Sequence, residues 1–370
     1  DGVSLNSSRG ISRKFESIDP FNIDRIEVIS GATAIYGGGS TGGIINIITK
    51  KGEAGPATVS LYTGGKSGLQ SSDDFDGNLA TAITGGNEKA DYRVSMAYTQ
   101  TQAAYNAKGN KILPDITQTS SQYSKQIDLM GTAGVNMDDN QRVDFTAQYF
   151  DNQQDSDSGA YFGPMFAGFV DPSQISVKDG LSLADQPATQ RTYLAAKYAH
   201  QAFLGQQLFL QAYYRDEEMQ FYPFPRINTR APQLSSISAS TQKTNVLGFK
   251  GVMTSELKPL DTQLVYGLDA ERENFTSHVQ YHDFRQAAAS GGLVYNPLFQ
   301  TGRYPELDID QVALFLQSTS QINDQWSVNG GVRYQYSNTQ VDDFVGLTQQ
   351  YLIATGMYPS ADVVPGGEAD

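Results

Sequence analysis

Cysteine is absent from the 370 residues, which excludes a disulfide scaffold, a thiolate metal site and cysteine catalysis. Histidine is nearly absent. His200, His278 and His282 are the only three, too few for a histidine-rich metal centre. Positive charge is also scarce, with 26 Lys and Arg against 40 Asp and Glu and a formal charge of -14. Binding phosphate needs the opposite balance, so nucleic acid is not an expected partner. Charged residues make up only 18% of the chain, below the roughly 25% usual in globular proteins, yet mean hydropathy is polar at -0.40. No apolar run approaches the length of a membrane helix. That leaves a membrane β-barrel open, because barrel strands are apolar only at alternate positions. Neither the opening Asp1-Gly2-Val3 nor the closing Gly366-Gly367-Glu368-Ala369-Asp370 reads as a finished terminus, so a piece of a longer protein is expected.

What fills the chain instead is glycine (36), tyrosine (21) and phenylalanine (18), together with Ser, Thr, Gln and Asn. These are sheet and turn formers. From about residue 57 the sequence alternates. In 326–336, Trp326, Val328, Val332, Tyr334 and Tyr336 share one face, while Ser327, Asn329, Arg333 and Gln335 share the other. The same pattern recurs at 92–99, 143–149 and 264–271, with similar segments near 57–65, 77–85, 126–135, 190–199, 207–221, 243–254 and 309–321.

A soluble sandwich also alternates, so the connections decide. Short polar turns at 86–90, 137–140, 201–206, 256–261 and 322–325 take turns with long connections at 66–76, 102–122, 152–188, 222–240 and 281–308. An up-and-down membrane barrel has this rhythm. Tyr98, Tyr149, Tyr214 and Tyr336 sit towards the ends of apolar faces, as an interfacial girdle requires. Arg93, Lys197, Lys250 and Arg333 fall on the polar faces, away from lipid. The expected fold is an all-β transmembrane barrel of about eleven strands over 53–370. Single-chain bacterial barrels use even numbers, so this is an incomplete wall.

Residues 1–52 read as part of a compact α+β domain. A short strand at Arg25-Ile26-Glu27-Val28-Ile29 is followed by a glycine-rich run and by Ile44-Ile45-Asn46-Ile47-Ile48-Thr49-Lys50, a pattern expected of a strand buried on both sides. The glycine run lacks the Gly-Lys-Ser/Thr ending of a phosphate loop, and a strand follows where a dinucleotide motif needs a helix. Asp19-Pro20, Arg25 to Ile29, Gly31-Ala32, Ile35-Tyr36-Gly37 and Gly42 to Lys50 resemble the plug signature of TonB-dependent outer-membrane receptors. Further stretches resemble the ferric aerobactin receptors within that family: Leu5 to Arg9, Ser17 to Asp24, Phe221 to Pro225, Ala289 to Leu293 and Thr301 to Pro305.

The resemblance implies a plug (here its carboxy-terminal part) inside a 22-stranded barrel in the outer membrane of a Gram-negative bacterium. It implies import of a ferric siderophore of the citrate-hydroxamate kind, not enzyme chemistry. The partners would be the siderophore, TonB acting through an amino-terminal segment not in this chain, and outer-membrane lipid and lipopolysaccharide. Iron would arrive already chelated, so no cofactor or protein metal ligand is expected. Haem or cobalamin import and a passive porin are the alternatives.

An anionic chelate calls for cations, donors and aromatic walls. Ser8, Arg9 and Arg13 lie in a basic run, 7–14, which the family places at the plug apex. Tyr222 with Arg226, and Arg303 with Tyr304, are aromatic-basic clusters in the long connections, although Tyr222 equally suits packing of a Pro-rich loop. Arg25 and Glu27, opposite Ile26 and Val28 on their strand, are by resemblance structural or gating charges that pair with the barrel wall. The run of Asp151, Asp155 and Asp157 reads as a solvated acidic loop in preference to a cation site.

Overall fold

The computed structural model describes residues 1–5, 17–31, 33–37, 42–114, 122–164, 166, 172–228, 233–258 and 261–369. Near the start, Ile23–Ser30 (β1) and Gly43–Thr49 (β2) pair antiparallel, with Ile26 opposite Ile47 and Val28 opposite Ile45. The wall then begins with Gly55–Ser67 (β3), Phe75–Gly86 (β4), Ala90–Thr101 (β5), Ser124–Asn136 (β6) and Gln141–Gln154 (β7). After three short loop strands, Ser158–Tyr161 (β8), Ser176–Asp179 (β9) and Ser182–Leu183 (β10), it resumes with Ala188–Phe203 (β11) and Gln206–Gln220 (β12). Phe224–Asn228 (β13) precedes the long pair Gln233–Leu257 (β14) and Thr262–His282 (β15). A short helix Phe284–Ala289 (α1), Val294–Tyr295 (β16) and Pro297–Gly302 (β17) lead into Leu307–Asn323 (β18) and Trp326–Val341 (β19). The chain closes with Phe344–Val345 (β20), Leu347–Ala354 (α2), Val363–Val364 (β21) and Gly367–Ala369 (β22).

The long strands form one antiparallel meander, β3 to β7, β11, β12, β14, β15, β18 and β19, each bonded to its neighbours in sequence. Among the described residues β3 and β22 are its two edges, so the wall is an open arc. The alternation read from the sequence becomes two unlike faces. Val94, Leu194, Leu247, Leu314 and Val332 stand exposed on the outside. Arg93, Asp128, Gln148, Arg191 and Arg215 are buried on the inside. An apolar exterior with a polar lumen is the arrangement that lipid outside and water inside select. Among the described residues no helix is long and apolar enough to cross a membrane.

The wall differs from the sequence reading at the long connections. Much of 222–240 and 281–308 is ordered strand and helix, because β14 and β15 continue pairing from Leu257 with Thr262 out to Ile237 with His282. Beyond the apolar belt one face of this hairpin stays buried, but it mixes Ser240, Gln242, Thr244 and Ser277 with Ile237, Phe275 and Val279. The ladder and its burial alternation persist while the hydropathy signal weakens. A second difference concerns β2, expected to be covered on both sides. Ile45 is 54% exposed, and Ile26 and Val28 beside it are also open. Among the described residues nothing covers the face of the two-stranded sheet that carries Ile26, Val28 and Ile45.

Candidate functional site

The amino-terminal segment is fastened inside the arc through side chains that the alternation aims at the lumen. Asp128, fully buried on β6, accepts from the Asp19 amide (2.8 Å), Asn22 Nδ2 (3.2 Å) and Gln148 Nε2 (2.8 Å). Asn22 in turn accepts at Oδ1 from Arg93 Nη1 (2.9 Å) and Ser95 Oγ (2.7 Å). Arg191 donates to the hydroxyl and carbonyl oxygens of Ser17 and, at 3.0 Å, to Gln148. The Pro20–Asn22 3-10 turn is capped by Asp19, whose carboxylate accepts from the Phe21 amide at 2.9 Å. Phe21 then lies between Lys50 and Arg93, 5.2 and 5.3 Å from its ring centre. The Asp-Pro-Phe-Asn run is thus a wall contact, not simply a turn.

Ser8, Arg9 and Arg13 lie outside the described residues. The chain on either side of them is held by neighbouring wall strands: Arg215 on β12 donates to the Ser4 carbonyl, and Arg191 on β11 holds Ser17. Arg25 and Glu27 pair with each other at 2.8 Å, and Arg25 also reaches Asp24 at 2.8 Å. This differs from the expected pairing with the wall. Glu27 further accepts from Asn46 Nδ2 at 3.0 Å across the β1–β2 ladder. The Arg25 and Asn46 donors hold the Glu27 carboxyl below its usual range, and Glu27 with Asp24 raises Arg25. Arg25, Asn46, Lys51 and Lys197 line a cavity of about 520 Å³ between the inner sheet and the wall.

Above the apolar belt the loops share a small core of their own. Phe166, Tyr222, Ile237, Ala287 and Tyr295 are buried together, with Phe162, Leu181 and Phe284 against them. Tyr222 meets Tyr295 edge-on at 6.0 Å, and burial raises its hydroxyl to about 12. It therefore packs the loop layer and does not face solvent. The β10–β16 pair is parallel and ties the loop after β7 to the loop after β15.

Arg226 and Arg303 flank the extended hairpin at different places. Arg226 is exposed on β13 and lies opposite Ser236 of β14. Arg303 donates to Ser240 Oγ of β14, and its guanidinium carbon stands 5.1 Å from the centre of the Tyr304 ring. Between them, Tyr281, Phe299 and Tyr351 form an aromatic group with centroids 5.0, 5.0 and 5.8 Å apart. Gln350 of α2 fixes that helix to β17 by accepting from the Gly302 amide at 2.9 Å. Tyr351 and Phe299 were not singled out in the sequence, since nothing local distinguishes a ring that packs across loops. Together these loops offer one cation held in place, Arg303, and an exposed one, Arg226, flanking the same hairpin as an aromatic group, suited to an anionic ligand. No group of three His, Cys, Asp or Glu among the described residues could hold a bare metal ion.

The fold has counterparts. A family model described as TonB-dependent receptor-like β-barrel matches residues 130–364, and one for the TonB-dependent receptor plug domain matches residues 1–44. The chain is 48% identical to the ferric aerobactin receptor of Klebsiella pneumoniae over 372 residues, covering all of this chain and 50% of that receptor. It is 46% identical to the rhizobactin receptor of Rhizobium meliloti (strain 1021), again over all of this chain and 50% of the relative. It thus spans about half the length of the curated relatives it matches. The unliganded ferric citrate transporter FecA shares the fold, with a TM-score of 0.61 at 15% identity over 95% of this chain and 47% of that one. With both of its characteristic parts matched in order, inner segment first and barrel wall second, the chain belongs to the TonB-dependent receptor family.

Proposed function

We propose that the receptor of which this chain forms part imports a ferric siderophore of the citrate-hydroxamate class, aerobactin or a close relative, across the outer membrane with energy delivered through TonB. The observation that carries this reading is identity near one half, running the whole length of the chain, to receptors for aerobactin and for rhizobactin. Ferric iron is the cargo, held by its chelator, and no bond of the cargo is made or broken. The donors proposed to receive the chelate are Ser8, Arg9 and Arg13 from the plug side and Arg226, Arg303 and Tyr304 from the loops. Tyr222 supports them by holding the loop core. Arg25 and Glu27, beside the lumenal cavity, are proposed to sit on the cargo's way inward. An inner segment fastened across the lumen speaks against a passive porin. The test is iron-restricted growth of receptor-null cells carrying the full gene on a panel of chelators. Growth on ferric aerobactin supports the reading; growth on a different chelate alone, or on haem, overturns the substrate class.

A further inference from the structure

Two of the places where the plug touches this wall differ in what each leaves behind when broken. At the first, Ser17, Asp19 and Asn22 are buried against Arg93, Ser95, Asp128, Gln148 and Arg191. Two of the three donors to Asp128 come from the plug itself, the Asp19 amide and Asn22 Nδ2. Withdrawing this segment would strip those donors from a buried carboxylate and Ser17 from a buried guanidinium, and such groups are expensive to leave without partners. The second place is the 33–36 loop. There Lys250 Nζ donates to the Ile35 carbonyl at 2.6 Å, and Arg333 Nη1 to the Ala34 carbonyl at 3.4 Å. Both cations also face Asp269 of the wall, at 3.8 and 2.6 Å. If the 33–36 loop leaves, Lys250 and Arg333 keep their carboxylate.

We infer that Ser17–Asn22, seated on Asp128, is a fixed foothold of the plug, whereas the 33–36 loop is a releasable contact that opens when the plug is remodelled. Asp128 is then a positioning residue for transport. This rests on the proposed TonB-driven import. It adds which attachment survives the transport cycle.

The chain contributes no cysteine of its own, and any cysteine elsewhere in the full-length receptor is first replaced by serine so that single cysteines report cleanly. In the full-length receptor, Ser17→Cys and Thr33→Cys are each labelled with a small maleimide in cells supplied with ferric aerobactin, with and without functional TonB. Growth on ferric aerobactin is scored separately for the unaltered receptor, so loss of the import reading is visible apart from the labelling. The expected result is a several-fold TonB-dependent rise in labelling of Thr33→Cys and no change at Ser17→Cys. Equal rises at both, or a rise at Ser17→Cys alone, overturn the foothold. Ser95→Cys, on the wall side of the same contact, repeats the measurement should Ser17→Cys fail to assemble. Asp128→Asn keeps the shape and loses the charge. Combined with Ser17→Cys it is expected to make that site label in a TonB-dependent way, and continued silence there would remove Asp128 from the role.

Discussion

Asp73 shows how a single carboxylate can join two loops. It accepts from the Tyr105 hydroxyl and from Lys111 Nζ, the latter at 3.0 Å. Hydrogen bonds from Ser71, Tyr105 and Lys111 hold its pKa far below the ordinary carboxylate value. Because the folded pKa is depressed, the stabilisation is present above the unfolded value of about 3.9 and is lost as pH falls towards the folded pKa. Protease nicking of the 102–114 connection should therefore rise below about pH 4. Asp73→Asn should show that susceptibility already at neutral pH and lose the pH dependence. Arg303 makes a prediction about ligand. Its neighbours Ser240 and Tyr304 hold it in place, so Arg303→Ala should weaken ferric aerobactin binding roughly tenfold, the scale of one charge-assisted hydrogen bond. Arg303→Lys should recover only part of it, since an ammonium lacks the planar fork. Titration of the purified receptor by tryptophan fluorescence would read both.

Among the elements, the wall strands were legible and the loop layer was not. Strands such as β19 carry alternation because one face meets lipid and the other water. The extended hairpin of β14 and β15, with Thr241 opposite His278 and Lys243 opposite Thr276, buries a face that carries Ser240, Gln242, Thr244 and Ser277, so its burial period is only weakly written in hydropathy. The loop core failed to show for another reason. Phe166, Tyr222, Ile237 and Tyr295 are distant in sequence and meet only through tertiary packing. The Asp128 network was hidden in the same way. A lumenal Asp on a strand looks like any wet-face residue until Asn22 and Asp19 are seen against it. By contrast, Arg25 and Glu27 were readable as sharing one face of their strand, but the resemblance implied partners on the wall, whereas they pair with each other. The loop core yields its own test. Tyr295→Ala should cost about 3–5 kcal/mol, the scale for removing a buried aromatic ring, within the loop layer. Limited proteolysis should then cut the 281–306 region, while the heat-modifiable mobility of the barrel on gels stays unchanged.

For the whole molecule, the division into lipid-facing and lumenal residues governs which substitutions are tolerated. Leu314 is 60% exposed on the outside of β18, midway along the strand. Leu314→Arg should destabilise insertion by about 2–4 kcal/mol, whereas Gln335→Arg on the opposite face of β19 should insert normally. Folding of each variant of the full-length receptor into vesicles would separate the two. On the proposed function the inner segment would gate this barrel, and the loop and plug donors would face the same vestibule above it. The most direct measurement is uptake of radioiron-loaded aerobactin by receptor-null cells expressing the full-length gene, in paired strains with and without TonB. Saturable uptake only where TonB is present is the predicted result. Uptake that is independent of TonB and linear in concentration, or no uptake with intact surface expression, would contradict it.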